Sequence, residues 1–191
     1  MKWEKVLMKE LEKEINKAPK VANTHNVDHI LRVWKTSKVL AKKTGANMEA
    51  MIAIVFLHDL ARHYGLEIHG KESAVMAEPI LKKIKFPENK MPLVLDAIAK
   101  HDYTTPSSER KSLESKILFD ADKLDAFGAI GILRHINFYY NNGKSVDEIL
   151  EMLDKRWSGI VLKESKEIGR KDFEYVRGFF LKLKEELKRV D

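Results

Sequence analysis

Asn47-Met48-Glu49-Ala50-Met51-Ile52-Ala53-Ile54-Val55-Phe56-Leu57-His58-Asp59 holds the longest apolar run of the chain, Ala50 to Leu57, between a helix-capping residue and two ionisable ones. Its side chains are apolar on every side, so a helix from an Asn47 cap to Leu60 belongs inside a bundle of other helices. Burying His58 and Asp59 unpaired at the end of such a helix would cost several kcal/mol. They therefore need a compensating partner. Adjacent helical residues point about 100° apart, so an imidazole nitrogen and a carboxylate oxygen can both reach one ion placed off the helix end. Taken alone, the pair also fits a helix-terminal histidine beside a loop carboxylate.

Outward from this helix the pattern stays helical. Ala18-Pro19 ends an opening amphipathic helix, Thr44-Gly45 closes a second, and Arg62 to Gly70 is a loop. In the second helix Ile30, Val33, Trp34 and Ser37 share one face, with Arg32, Lys35 and Lys38 off it. Further helices are expected over Lys71 to Ile84, kinked or broken at Pro79, over Pro92 to His101 and over Leu113 to Asp125. Ser145-Val146-Asp147-Glu148 has the form of a capping box. Phe173, Val176, Phe180, Leu183 and Leu187 mark a long closing helix laid against the body. With no strand pattern, solenoid repeat or low-complexity linker, the fold class is all-α, a compact helical bundle in a single domain spanning 1–191.

Composition narrows the chemistry. At 191 residues and 44% apolar content the chain can bury a core without staples. It has no cysteine, which excludes disulfides, thiolate metal sites and a cysteine nucleophile, so any metal must take nitrogen and oxygen ligands. The amino terminus mixes Lys and Glu with apolar residues, unlike a signal peptide. The apolar run Ala50 to Leu57 is far short of the roughly 20 residues of a membrane span, so a cytoplasmic protein without a membrane partner is expected. The net charge of +6 comes from 35 basic and 29 acidic residues mixed along the chain, the look of solvated helix surfaces. A basic helical nucleic-acid-binding module without turnover is the competing reading, but it needs a clustered stripe and aromatic stacking. Trp3, Trp34 and Trp157 are far apart in sequence, and Trp34 sits in an apolar pattern.

Two more segments carry chemistry. His25-Asn26-Val27-Asp28-His29-Ile30-Leu31-Arg32-Val33 places His25, His29 and Arg32 on one face of a helix start, which suits a metal and an anionic substrate or a polar face in water. Asp120-Ala121-Asp122-Lys123-Leu124-Asp125 sets three carboxylates directly after the apolar Ile117-Leu118-Phe119. At least one of the three should point inward, where it demands a cation or a donor; solvated carboxylates at a helix end are the alternative.

The ordered set His29, His58-Asp59 and Asp122 resembles the HD superfamily of metal-dependent phosphohydrolases, and in particular its small single-domain members. The likeness extends from His25 with Asp28 to Val33, through His58-Asp59, to Glu114-Ser115-Lys116-Ile117-Leu118, Asp120 to Ala126 and Gly128-Ala129-Ile130-Gly131-Ile132, covering about Thr24 to Arg134. The resemblance implies a divalent metal on His29, His58, Asp59 and Asp122. Two imidazoles and two carboxylates favour Mn, Fe, Co or Ni over Mg. Asp59 or Asp125 would orient the attacking water, while His25, Arg32 and Lys123 would offset phosphoryl charge. His69 and His101 are expected beside the site, as phosphate contacts rather than as ligands of a second ion.

The resemblance further implies a phosphorylated small molecule as partner, a nucleotide, with nucleoside triphosphate cleavage to monophosphate and pyrophosphate ahead of monophosphate hydrolysis or cyclic phosphodiester cleavage. After His58-Asp59 the chain reads Leu60-Ala61-Arg62-His63, without the paired acidic residues of members that act on guanosine polyphosphates. Assembly as a homo-oligomer stays open.

Overall fold

The computed structural model describes residues 2–18 and 27–188. Among them it contains nine α-helices and no strand: α1 Lys2–Lys17, α2 Val27–Thr44, α3 Met48–Leu57, α4 Gly70–Lys83, α5 Met91–Ala99, α6 Leu113–Leu124, α7 Gly128–Phe138, α8 Val146–Ser158 and α9 Lys163–Leu187. The fold class is therefore all-α, as the periodicity requires. The chain divides into two compact units, residues 1–121 and 122–191, with the boundary inside the last turn of α6.

In the first unit α3 is the central element. Every residue from Ala50 to Leu57 is fully buried, and α1, α2 and α5 pack against it. Asn47 starts the helix by accepting from the Ala50 N–H at 3.0 Å, while its own N–H donates to the buried Glu114 carboxylate at 2.8 Å. Gly45, at φ +78°, closes α2 in the left-handed conformation that glycine tolerates best. The helix stops at Leu57, earlier than the Leu60 expected from sequence. Beyond it, Asp59 sits near the bridge region (φ −102°, ψ 14°) and the chain tightens into a 3-10 turn over Leu60–Tyr64. The segment after His58-Asp59 thus begins as a helical turn before it becomes a loop.

α4 runs through Pro79 without a break. Proline removes the bond to the carbonyl four residues back, that of Val75; both residues are exposed, so water can take that carbonyl's place. Packing of α4 on α5 then brings the beginning of one helix to the end of the other.

The second unit has its own core: Phe127, Val146, Ile149, Leu150, Leu153, Val176 and Phe180. Trp157 stacks on Phe173 with ring centroids 4.6 Å apart. The capping box at Ser145 and Glu148 is present, and α9 buries Val176 and Phe180, whereas Leu187 is exposed. The glycines of the Gly128–Ile132 motif have structural reasons. Gly128 has φ +69°, and a Cβ on Gly131 would lie 2.3 Å from the Ala126 carbonyl oxygen. Trp3 and Trp34 are buried in the first unit. No helix among the described residues is long and apolar enough to cross a membrane.

His135 is buried in the second unit beside the rings of Tyr139 and Phe180. Its Nδ1–H donates to the Gly131 carbonyl at 2.7 Å. Burial, with the charges of Arg156 and Arg134 adding to it, lowers its pKa from 6.5 to about 4. Because the folded value lies below the unfolded one, the neutral ring's contribution is complete above pH 6.5 and is lost as pH falls toward 4, an effect of about 3 kcal/mol. In urea unfolding between pH 7 and 4, His135→Gln should therefore lose less stability than the unchanged chain. Parallel losses in both proteins would contradict the assignment.

Candidate metal centre

His58 and Asp59 stand where α3 gives way to the 3-10 turn, and both are buried. The His58 Nδ1–H donates to the Val55 carbonyl at 2.8 Å, a group left over at the helix end. That bond fixes the proton on Nδ1 and leaves Nε2 to face Asp59 Oδ1 at 3.3 Å. His101, just past the end of α5, repeats the device, with Nδ1–H donating to the Ile98 carbonyl at 2.7 Å. His69, at the N-cap of α4, donates its Nδ1–H to the Glu67 carbonyl at 2.9 Å.

The Nε2 atoms of these rings converge. His69 Nε2 lies 2.8 Å from Asp59 Oδ1 and 3.0 Å from His101 Nε2, and His101 Nε2 is 3.6 Å from the same oxygen. On the other side of the carboxylate, His29 Nε2 from α2 lies 3.4 Å from Asp59 Oδ2. Among the described residues two groups of potential ligands result, His29, His58 and Asp59, and Asp59, His69 and His101, all buried and sharing Asp59.

A carbonyl can only accept, so each Nδ1 that meets one carries the proton, and a neutral ring then presents only a lone pair at Nε2. Lone pairs aimed at one another and at a carboxylate repel unless a proton or a cation lies between them. Separations of 2.8 to 3.6 Å fit the edges of a coordination polyhedron, since two ligands at right angles and about 2.1 Å from an ion are roughly 3 Å apart. In keeping with this, burial opposes charge on His69, but the hydrogen bond to Asp59 and the charges of Asp59 and Asp102 outweigh it and raise its pKa.

The residues singled out in the sequence do not all come together. His29, His58, Asp59, His69 and His101 are brought together, and His69 and His101 are buried rather than surface histidines at helix ends. Arg32 lies on α2, three residues beyond His29 and half-buried. Asp122, Lys123 and Asp125 belong to the second unit, each partly buried, and Asp125 accepts from Arg134 at 2.6 Å. His25 lies outside the described residues. Of the three carboxylates after Phe119, the fully buried one is Asp120.

Sequence reasoning passed over Asp102 and Arg110. Asp102 is buried and accepts from the backbone N–H groups of His69 and Gly70. The signal was a second His-Asp dipeptide, His101-Asp102, again just past a helix end. Arg110 is buried against the face of Phe119. Its pKa is lowered by burial, against the opposing pull of Asp120 and Glu109.

Solved structures share this fold. Among solved structures, an HD-superfamily hydrolase from Bacillus thuringiensis is 25% identical, with 95% of this chain and 98% of that one covered and a TM-score of 0.71. The Lin1889 protein of Listeria innocua is 21% identical, with 97% of each chain covered and a TM-score of 0.74. YpgQ of Bacillus subtilis, solved in complex with ADP, is 18% identical, with 95% of this chain and all of that one covered and a TM-score of 0.69. No curated protein sequence matches.

Asp59 is the residue both ligand groups share. Replacing it with alanine should abolish retention of manganese by the purified protein, measured as ions per chain, and should remove activity with it. Equal metal content in Asp59→Ala and the unchanged chain would contradict this role. Residues 26–126 match the HD domain family, and the chain belongs to that family of metal-dependent phosphohydrolases.

Proposed function

We propose that the chain, acting as one domain over 1–191, hydrolyses a nucleotide at the Asp59 cluster and cleaves a nucleoside triphosphate to monophosphate and pyrophosphate. The observation that carries this reading is the convergence of imidazole Nε2 atoms on one buried carboxylate, an arrangement that calls for a cation. Without cysteine, the donor set is nitrogen and oxygen only, which suits manganese, iron, cobalt or nickel. His29, His58 and Asp59 would hold the ion. Asp122 joins them as the fourth ligand by its place in the motif Asp120 to Ala126. When bound, a divalent ion supplies Lewis-acid polarisation of a phosphoryl oxygen and a more acidic water.

The chain's own groups do the rest. The Asp59 carboxylate accepts a hydrogen from the attacking water and fixes its direction. Arg32, about one turn along α2 from His29, offers paired N–H donors to the phosphoryl oxygens. His25, Lys123 and Asp125 enter through the motifs alone, the first two as counter-charges and Asp125 as the alternative orienting base. His69 and His101 have two roles open to them. The sequence pointed to phosphate contact, but their approach to Asp59 Oδ1, at 2.8 and 3.6 Å, favours the reading in which His69, His101 and Asp59 would hold a second ion.

The nucleotide class draws on the family motifs and on the ADP complex of the Bacillus subtilis relative. Incubation with manganese and a panel of nucleoside mono-, di- and triphosphates, with products separated by chromatography, tests it. Monophosphate and pyrophosphate from triphosphates are the expected products. Orthophosphate released only from monophosphates would overturn the triphosphate reading, and no turnover on any nucleotide would overturn the substrate class.

A further inference from the structure

We infer that Asp102 is a positioning residue that aims His69 and His101 at Asp59 by taking over the capping of α4. An N-cap residue is ordinarily Ser, Thr, Asp or Asn, because a short side-chain oxygen there accepts from the open N–H groups of the first turn. His69 occupies that position in α4 (φ −137°, ψ −3°), yet its side chain makes no capping bond. The oxygen comes instead from the segment that follows α5. Asp102 Oδ2 accepts from the Gly70 N–H at 2.7 Å and from the His69 N–H at 3.2 Å. Relieved of capping, the imidazole of His69 sets its Nδ1–H on the Glu67 carbonyl, with Asp102 Oδ1 3.5 Å from the same nitrogen, and turns Nε2 to Asp59.

The same residue follows His101 directly in the chain, so one carboxylate ties the start of α4 to the end of α5 and thereby one histidine to the other. Residue 70 must be glycine for this approach. A Cβ there would lie 2.8 Å from Asp102 Oδ2 and 2.9 Å from the Ala99 carbonyl oxygen. From behind, Arg110 Nη1 donates to the carbonyls of Thr105 at 2.8 Å, Lys100 at 3.0 Å and Asp102 at 3.4 Å. Its guanidinium lies 3.7 Å from the ring centroid of Phe119. These contacts pin the main chain on both sides of Asp102, which is itself buried with its charge facing the helix N-terminus.

The test reads ring geometry first and metal second, because only the second readout rests on the metal-site reading. In the metal-free, nitrogen-15-labelled chain, His69 and His101 should each show a slowly exchanging Nδ1–H proton, the one bonded to Glu67 and the other to Ile98. Asp102→Ala should abolish the His69 signal, broaden that of His101 and weaken manganese binding by about 10- to 100-fold. Asp102→Asn, which keeps a capping oxygen, should retain both signals and lose less than tenfold. Ala77→Gly weakens α4 at a buried position away from Asp102 and should leave both protons in place. Should Asp102→Ala fail to fold, Gly70→Ala supplies the same displacement with the carboxylate present, and it should lose the His69 signal. Unchanged signals and affinity in Asp102→Ala, or equal losses in Ala77→Gly, would overturn the inference. Failure of the unchanged chain to bind manganese would contradict the metal site instead, and the Nδ1–H signals would still decide the role of Asp102.

Discussion

A carboxylate buried among imidazoles is stable only if something positive lies between them, and at Asp59 that constraint governs the arrangement of the first unit. His58, His69 and His101 each donate the Nδ1–H to a main-chain carbonyl. None can then supply a proton to Asp59 from its Nε2 unless the ring becomes charged. The site therefore stores a demand for positive charge that a divalent ion meets better than a proton, since one ion answers several lone pairs at once. The tautomers of His58 and His101 follow from where α3 and α5 end, and that of His69 from the loop carbonyl of Glu67, not from the site itself.

That dependence explains why so much of the chemistry sits at helix termini. The ends of α3 and α5 leave carbonyls without intrahelical partners, and His58 and His101 occupy them with a bond to the residue three positions back. The start of α4 leaves N–H groups open, and Asp102 occupies those. Each interaction satisfies a backbone group that would otherwise be costly to bury and in the same stroke directs a functional side chain. α3 can hold its terminus at the centre of the unit because the helix is apolar all round, with Ala50 to Leu57 fully buried.

Most of this was legible where the physics is local. The 3.6-residue period yields the helices, the Asn47 cap and the Ser145 box are read from short patterns, and the burial of His58-Asp59 follows from the apolar run that precedes them. What escaped the sequence depends on distance in space. Asp102 and His69 are 33 residues apart, and nothing short of the packing of α4 on α5 reveals that one caps the helix the other begins. α3 stops at Leu57, and Asp59 leaves the helical region where its carboxylate meets histidines from other helices. Pro79 read as a kink or a break, yet α4 continues through it on an exposed face, with Val75 and Pro79 both exposed. Among the three carboxylates after Phe119, periodicity required one to point inward without saying which, and Asp120 does so completely.

Whether a divalent ion sits between Asp59 and the imidazoles is read from anomalous diffraction of crystals grown with manganese. A peak is expected at the Asp59 cluster about 2.1 Å from a carboxylate oxygen, with Nε2 and not Nδ1 of His29 and His58 as its nitrogen ligands. At saturating manganese, no peak within the cluster and His69 Nε2 still bonded directly to Asp59 would contradict that expectation.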